Sequence, residues 1–184
     1  MEGFGGTSAP RAPEPTLALK RRVSFFPDPR GILLMVPGPG RVSPPMTAYL
    51  FHSDAIAEAL RAEPREAYLE WLRSLPREKQ FTSAIALADL YRGADESRDP
   101  EGNLRHIEER VLPALTVLPF DVATARTFGE LKSELLLEDL TTRELQVAAT
   151  ALYHGLEIVT ARTGRFRRIP RLGVHPLPRS RSHR

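Results

Sequence analysis

From residue 46 onward, short apolar runs alternate with longer stretches in which the apolar residues recur at helical spacing. A short apolar run bounded by turn residues is typical of a buried strand, and strands that alternate with helices are typical of an α/β domain. The pattern predicts a parallel sheet whose strands are joined by right-handed crossovers. The predicted strands lie at 49–51, 81–82, 115–118, 156–160 and 174–175.

The helical stretches carry their own end signals. Ser83 and Asp121 stand where side-chain oxygens cap the N-terminus of a helix, and Gly155 stands where a glycine commonly ends one. Pro64 separates the first two helices, because proline breaks the interior of a helix. The predicted helices lie at 54–62, 65–75, 84–95, 102–114, 121–136 and 142–154.

The first 45 residues differ in composition from the rest. They hold nine of the 17 prolines and six of the 12 glycines, a content that opposes helices and central strands. We expect residues 1–45 to form a disordered extension, and we raise the hypothesis that translation starts at Met46. The domain proper is predicted over 46–178, and residues 179–184 form a basic tail that we expect to be disordered.

Charge is distributed unevenly along the chain. The formal net charge is +3, yet residues 46–157 carry 12 basic and 20 acidic residues, whereas residues 158–184 carry eight arginines and no acid. An acidic body with a basic end suggests contact with a polyanion, and a solvated arm is the alternative. The chain has no cysteine, which excludes disulfides and fits a cytoplasmic location; no apolar run is long enough to span a membrane.

Four side chains stand where a parallel sheet places its functional groups, beyond the carboxyl ends of the strands or on the helices that follow. His52 and Asp54 follow the first strand, Asp89 lies in the helix after the second, and Glu144 opens the helix at 142–154. Carboxylates are the ligands that Mg²⁺ prefers. Each residue also has a structural explanation: a helix cap for His52, a favourable charge at a helix N-terminus for Asp54, a solvated helix position for Asp89, and a capping box with Thr141 for Glu144.

Four stretches, in their order and spacing, resemble the PIN-domain ribonucleases of the VapC toxin type, over about residues 46–178. The resemblance implies a three-layer α/β/α domain around a mainly parallel sheet, with an acidic pocket that binds Mg²⁺ or Mn²⁺. It also implies hydrolysis of RNA by a metal-activated water, a homodimer, and a cognate antitoxin as partner. The stretches are "YLFHSDAIAEAL", "SAIALADLYRGA", "VLPFDVATARTFGELKSEL" and "ELQVAATALYHGLEIVTARTGRFRRIPRLGVHP". The most specific part is "VAATALYHGLEIVT" within the last of them.

The family's site residues fall on substituted positions of this chain. The strand-end Asp falls on His52, with Asp54 two places on, the family's Glu falls on Asp89, and its Asp before the penultimate helix falls on Glu144. The resemblance therefore implies catalytic roles for His52, Asp89 and Glu144, and metal ligation by Asp54, Asp89 and Glu144. A basic group is predicted to bind nucleic acid: Arg162, Arg165, Arg167, Arg168 and Arg171.

Two of these arginines stand where the family has acids or an amide. Arg162 and Arg165 would repel a cation, attract phosphate, or fill the acidic pocket themselves. A second interpretation therefore stays open, in which the domain is catalytically inactive and binds RNA or an antitoxin. A nucleotide-binding α/β protein is disfavoured, because no glycine-rich phosphate turn follows a strand.

Overall fold

The structure, a computed structural model, describes residues 47–134 and 140–179. In these ranges five strands form one sheet in the order β3-β2-β1-β4-β5, and every neighbouring pair is parallel. The parallel sheet predicted from the sequence is thus confirmed. The strands are β1 (Tyr49–Phe51), β2 (Gln80–Ser83), β3 (Thr116–Leu118), β4 (Glu157–Thr160) and β5 (Val174–Pro176).

Both faces of the sheet are buried, which explains why β1 and the middle of β4 are apolar on both faces. Successive side chains of a strand point to opposite faces. Leu50 and Ile158 accordingly enter one apolar cluster, while Phe51 and Val159 enter the other. Helices cover the two clusters, which gives the three-layer α/β/α arrangement.

Seven α-helices lie within the described ranges. Their N-termini carry the predicted caps: Ser83 Oγ accepts a hydrogen bond from the amide of Ala86, and Asp121 Oδ1 accepts one from the amide of Thr124. Gly155 ends the sixth helix with φ at 66°. The helices are α1 (Ser53–Ala59), α2 (Glu66–Ser74), α3 (Ala84–Asp95), α4 (Pro100–His106), α5 (Val122–Glu134), α6 (Thr142–His154) and α7 (Thr163–Phe166).

The structure corrects the prediction of one helix over 102–114. Helix α4 starts earlier, at Pro100, because proline suits the first turn and Asp99 caps it by accepting from the amide of Gly102. It then widens into a π-helical turn, Ile107–Val111, which buries both of its end residues. Apolar spacing alone does not distinguish an α-turn from a π-turn, so the sequence pattern could not predict this change.

Other predicted ends shift by one to three residues, as is usual where only apolar periodicity sets them. Helix α1 ends at Ala59 rather than at 62, and β4 begins at Glu157 rather than at 156. The predicted extension 1–45, the proposed start at Met46, residues 135–136 and the tail from 180 onward lie outside the described residues. No helix in the described ranges combines the length and apolarity needed to cross a membrane.

Candidate functional site

The carboxyl ends of β1, β2 and β4 meet at one edge of the sheet because the strands are parallel. The chain leaves β1 at His52 and turns at once into α1, while β4 ends at Thr160 directly beside it. The amide of His52 still donates to the carbonyl of Val159, at 3.0 Å, so the turn is anchored to the sheet. Side chains from the turn after β1 and from the end of β4 therefore face a common space.

His52 is buried in the turn after β1 and is not an exposed side chain of an open site. Its side chain is only 4% exposed, and its ring packs edge-on against Phe166. Nδ1 lies 3.3 Å from the amide nitrogen of Asp54 and caps α1 as a hydrogen-bond acceptor. The same nitrogen lies 3.1 Å from Asp54 Oδ1, to which it can donate only when it carries a proton. The cap and the carboxylate thus compete for one ring nitrogen.

Asp54 is held by residues of β4 and of the turn after it. Its Oδ2 accepts a hydrogen bond of 2.8 Å from the hydroxyl of Thr160. Burial would raise the pKa of the Asp54 carboxyl, but hydrogen bonds from His52, Thr160 and the amide of Ala161, together with the charge of His52, bring the pKa below its usual value. Asp54 is therefore an ionised carboxylate at neutral pH.

Glu144 is buried, and its carboxylate oxygens already have hydrogen-bond and ion-pair partners. Its Oε2 accepts hydrogen bonds of 2.9 Å from both the amide and the hydroxyl of Thr141, which completes the predicted capping box of α6. Nη2 of Arg165 lies 2.9 Å from the same oxygen. Nη1 of Arg162 lies 3.5 Å from the other oxygen, Oε1. Both carboxylate oxygens of Glu144 thus already have positively charged partners.

Arg162 connects two of the predicted acids. Besides its contact with Glu144, its Nε lies 3.9 Å from Asp54 Oδ2. Thr160 helps to position it, since the hydroxyl that donates to Asp54 also accepts a hydrogen bond from the Arg162 amide, at 3.0 Å. One guanidinium therefore stands between a carboxylate of α1 and a carboxylate of α6.

Asp89 reaches the same space from the middle of α3. Its Oδ1 lies 3.1 Å from Nη1 of Arg143 and 4.0 Å from Nε of Arg92. Its side chain is partly buried, whereas both arginines are more than half exposed. Asp89 is therefore paired with a cation from α6, the helix that also carries Glu144.

A cleft of about 870 Å³ joins these side chains. The predicted residues His52, Asp54, Asp89 and Glu144 all line it, so the structure brings together the set that the resemblance implied. Four arginines line it as well and outnumber its three carboxylates: Arg61, Arg92, Arg143 and Arg162.

The predicted nucleic-acid group is divided by the structure. Arg162 lines the cleft, and Arg165 lies behind it against Glu144. Arg167 and Arg168 are exposed and are not among the lining residues, and Arg171 pairs with Glu134 of α5. The nucleic-acid role stays a prediction for all five residues.

Three arginines that line the cleft, and Thr160 beside it, were not selected from the sequence. Arg92 could have been found, because it lies three positions after Asp89 on one helix, a spacing that pairs side chains. Arg143 and Arg61 gave no such signal, because their positions depend on how α6 and α1 pack. Thr160 ends a buried strand and is itself fully buried, which concealed its hydrogen bonds to the site.

The arrangement does not fit a divalent cation. Three carboxylates are suitable donors for Mg²⁺ or Mn²⁺, and Asp54 Oδ1 is a buried oxygen that accepts no hydrogen bond unless His52 donates one. Nevertheless, across the described ranges no three acidic or histidine side chains stand together as metal ligands. Arg162 and Arg165 take the space and the charge that an ion would need next to Glu144.

Comparison with known proteins identifies the class to which this fold and cleft belong. The family model of the PIN domain matches residues 51–172, from the end of β1 to just before β5. The chain belongs to the PIN domain family. The resemblance inferred from the sequence and the α/β/α fold are thereby confirmed.

The chain is similar to proteins named as toxins and as ribonucleases. The chain is 32% identical to the toxin FitB of Neisseria gonorrhoeae over 124 residues, which cover 64% of this chain and 89% of FitB. It is 33% identical to the VapC ribonuclease Y4jK of Sinorhizobium fredii over 123 residues, which cover 62% and 86%. The crystal structure of FitAcB from Neisseria gonorrhoeae superposes with a TM-score of 0.62 at 28% identity, covering 68% of this chain and 95% of that one.

Proposed function

We propose that this protein acts on RNA as a VapC-type endoribonuclease, and that the cleft is where RNA is bound and hydrolysed. One observation carries the proposal: carboxylates from three separate elements, Asp54, Asp89 and Glu144, line one cleft together with arginines. Acidic groups beside arginines suit a site that binds a phosphate and acts on it. The names of the relatives, which include VapC ribonucleases, support RNA as the substrate.

The proposed partner is a cognate antitoxin. FitB is named a toxin, and the resemblance to the VapC type implies a second protein that holds such a toxin inactive. The same resemblance implies a homodimer and a cytoplasmic location, where both RNA and an antitoxin are present. We take both as part of the proposal.

The residues of the chain can hold and orient a phosphate without further groups. Arg143 and Arg162 face the cleft, each tied to an acid that fixes its direction. His52 fixes the turn that carries Asp54. We assign no chemical step to Mg²⁺ or Mn²⁺, because the described donors do not fit an ion while Arg162 and Arg165 contact Glu144.

The second candidate function is binding without hydrolysis. It is favoured by the same two arginines, since a carboxylate whose oxygens are paired with guanidinium groups has no free oxygen for a metal ion. In this case the domain would bind RNA or an antitoxin and leave the RNA intact.

A cleavage assay separates the two candidates. End-labelled structured RNA is incubated with the full chain in Mg²⁺, in Mn²⁺ and in EDTA, beside Glu144→Gln and a control, Glu130→Gln, which changes an exposed acid of α5 outside the cleft lining. Cleavage that Glu144→Gln abolishes and Glu130→Gln retains supports the ribonuclease, and comparison with the EDTA sample shows whether that cleavage needs an ion. RNA that is bound and left intact by all three proteins supports the second candidate. Cleavage that survives Glu144→Gln would exclude this cleft as the site.

A further inference from the structure

Arg162 occupies the position between two acids that a bridging cation would take. Its Nη1 lies 3.5 Å from Glu144 Oε1 and its Nε lies 3.9 Å from Asp54 Oδ2. The guanidinium is always charged in proteins and offers five N–H donors in a fixed plane. Two long contacts therefore use only part of its hydrogen-bonding capacity. More than half of the side chain remains exposed.

Arg165 strengthens this arrangement from behind the cleft. Its Nη2 contacts Glu144 Oε2, the oxygen that also serves the capping box. A divalent ion at Glu144 would have to displace this contact and that of Arg162. The carboxylate is 4% exposed, so its charge is matched by these arginines and not by water.

The rim of the cleft adds more positive charge. Arg61, Arg92 and Arg143 line it and are each more than half exposed, as Arg162 is. Arg61 also pairs with Glu58 and Arg92 with Glu96, and the exposed guanidinium donors that remain can meet a polyanion without a bound ion. Guanidinium groups bind phosphate through paired, charge-assisted hydrogen bonds.

We propose that Arg162 takes the place of a divalent ion between Asp54 and Glu144, so that the cleft binds the RNA backbone without a metal. The inference rests on the proposed action on RNA and adds how the phosphate is held. It carries two consequences: RNA binding that persists in EDTA, and ion binding that is opposed by the two arginines.

The first test measures RNA binding in EDTA. A fluorescent single-stranded RNA oligonucleotide is titrated with the full chain, with Arg162→Gln and with a control, Arg126→Gln, which changes an exposed arginine of α5 outside the cleft lining. We expect Arg162→Gln to raise Kd about tenfold, since a hydrogen bond between charged groups is lost. We also expect the slope of log Kd against log salt to fall by about 0.7, the value for one phosphate contact on a single strand. Arg126→Gln should change neither.

Glu144→Gln makes the test specific. Glutamine can keep the capping box, so α6 should stay folded, as circular dichroism can check. If arginines hold the phosphate, loss of the acid leaves RNA binding in EDTA unchanged or tighter. If an ion held by Glu144 were required, the parent would bind RNA only with added Mg²⁺ or Mn²⁺, and Glu144→Gln would lose that ion-dependent binding.

The outcomes distinguish this inference from the proposed function. RNA binding by the parent only when Mg²⁺ or Mn²⁺ is added would overturn the inference and leave the function standing. No RNA binding under any condition would overturn both. Equal binding by the parent and Arg162→Gln in EDTA would also overturn the inference, because the phosphate would then be held elsewhere.

A second test examines the ion directly. Calorimetric titration with Mn²⁺ compares the full chain with the double variant Arg162→Gln/Arg165→Gln. We expect the double variant to bind Mn²⁺ at least tenfold more tightly, because the acids lose their internal cations. Equal affinity of the two proteins would show that the arginines do not stand in place of an ion.

Discussion

The hydroxyl of Thr160 donates to Oδ2 of Asp54 at 2.8 Å, although the two residues lie 106 positions apart in the chain. Thr160 ends β4 and Asp54 opens α1, so this hydrogen bond ties the two halves of the domain together at the edge where the cleft lies. Both groups are shielded from water, which makes the bond strong and its loss costly.

Thr160→Val should therefore raise the pKa of Asp54 toward its ordinary value, because the carboxylate loses a donor. It should also lower the free energy of unfolding by about 1.5–3 kcal/mol, as for a hydrogen bond to a charged group. NMR titration of the carboxyl carbon and urea unfolding measure the two effects. Thr127→Val is the matched control, since that hydroxyl bonds only weakly within α5, at 3.5 Å. Equal losses in the two variants would contradict the assigned role of Thr160.

The N-terminus of α6 gives a second prediction. Thr141→Ala should destabilise the fold by about 1 kcal/mol, because the side-chain oxygen that accepts from the amide of Glu144 is removed. Thermal or urea unfolding measures the change. Thr142→Ala, at the first residue of the helix and not at its N-cap, should change stability by less than half as much. The opposite ranking would mean that the capping box contributes little.

Gly155 gives a third prediction, which depends on the positive sign of its φ angle. Its φ is 66°, a region that costs other residues about 1–2 kcal/mol. A Cβ added there would meet open space, so Gly155→Ala isolates the backbone cost. Gly129→Ala within α5 also meets open space and should instead stabilise by about 0.5–1 kcal/mol. If both variants shifted the urea midpoint in the same direction, the left-handed conformation of Gly155 would be wrong.

The fourth prediction concerns pH. Burial lowers the pKa of His154 below its ordinary 6.5, and the nearby charge of Asp121 opposes this only in part. As pH falls, His154 is protonated in the unfolded chain at a higher pH than in the folded protein. The stability that neutral His154 contributes is therefore fully present above pH 6.5 and is lost as pH falls toward its lower pKa in the folded protein.

Urea unfolding at several pH values, compared with His154→Gln, measures that loss. As pH drops from about 8 to about 5, the free energy of unfolding of the parent should fall relative to that of His154→Gln. Asp121→Asn should lower the pKa of His154 further in an NMR titration. A pKa of His154 that rises in Asp121→Asn would contradict the assigned electrostatic contact.

Much of the fold could be predicted from the sequence because its determinants are local. The β1 and β4 runs are apolar on both faces, and Ser83, Asp121 and Gly155 mark helix ends through their own side chains or backbone freedom. The π-helical turn at Ile107–Val111 could not be predicted, since it results from tertiary packing of the residues at both of its ends.

The candidate site was predictable only in part, for the same reason. The family pattern led to His52, Asp89 and Glu144, and it raised the possibility that Arg162 and Arg165 fill the acidic pocket. It did not indicate which side chain pairs with which acid. The pairing of Asp89 with Arg143 joins α3 to α6, and the bridge formed by Arg162 joins α1 to α6. Such pairings depend on long-range packing, and no spacing within the sequence encodes them.

The position of β1 in the sheet has a consequence for synthesis of the chain. β1 lies at the centre, between β2 and β4, yet among the described residues it is the first strand to be synthesised and β4 is the fourth. A nascent chain that has reached only residue 156 exposes the edge of β1 that pairs with β4, and it lacks the Ile158 and Val159 that lie beside Leu50 and Phe51. Such an edge is a template for pairing with other chains. Messages truncated ahead of β4 should therefore yield products that aggregate. During normal synthesis, chaperones or proteases should act on the nascent chain until translation passes residue 160.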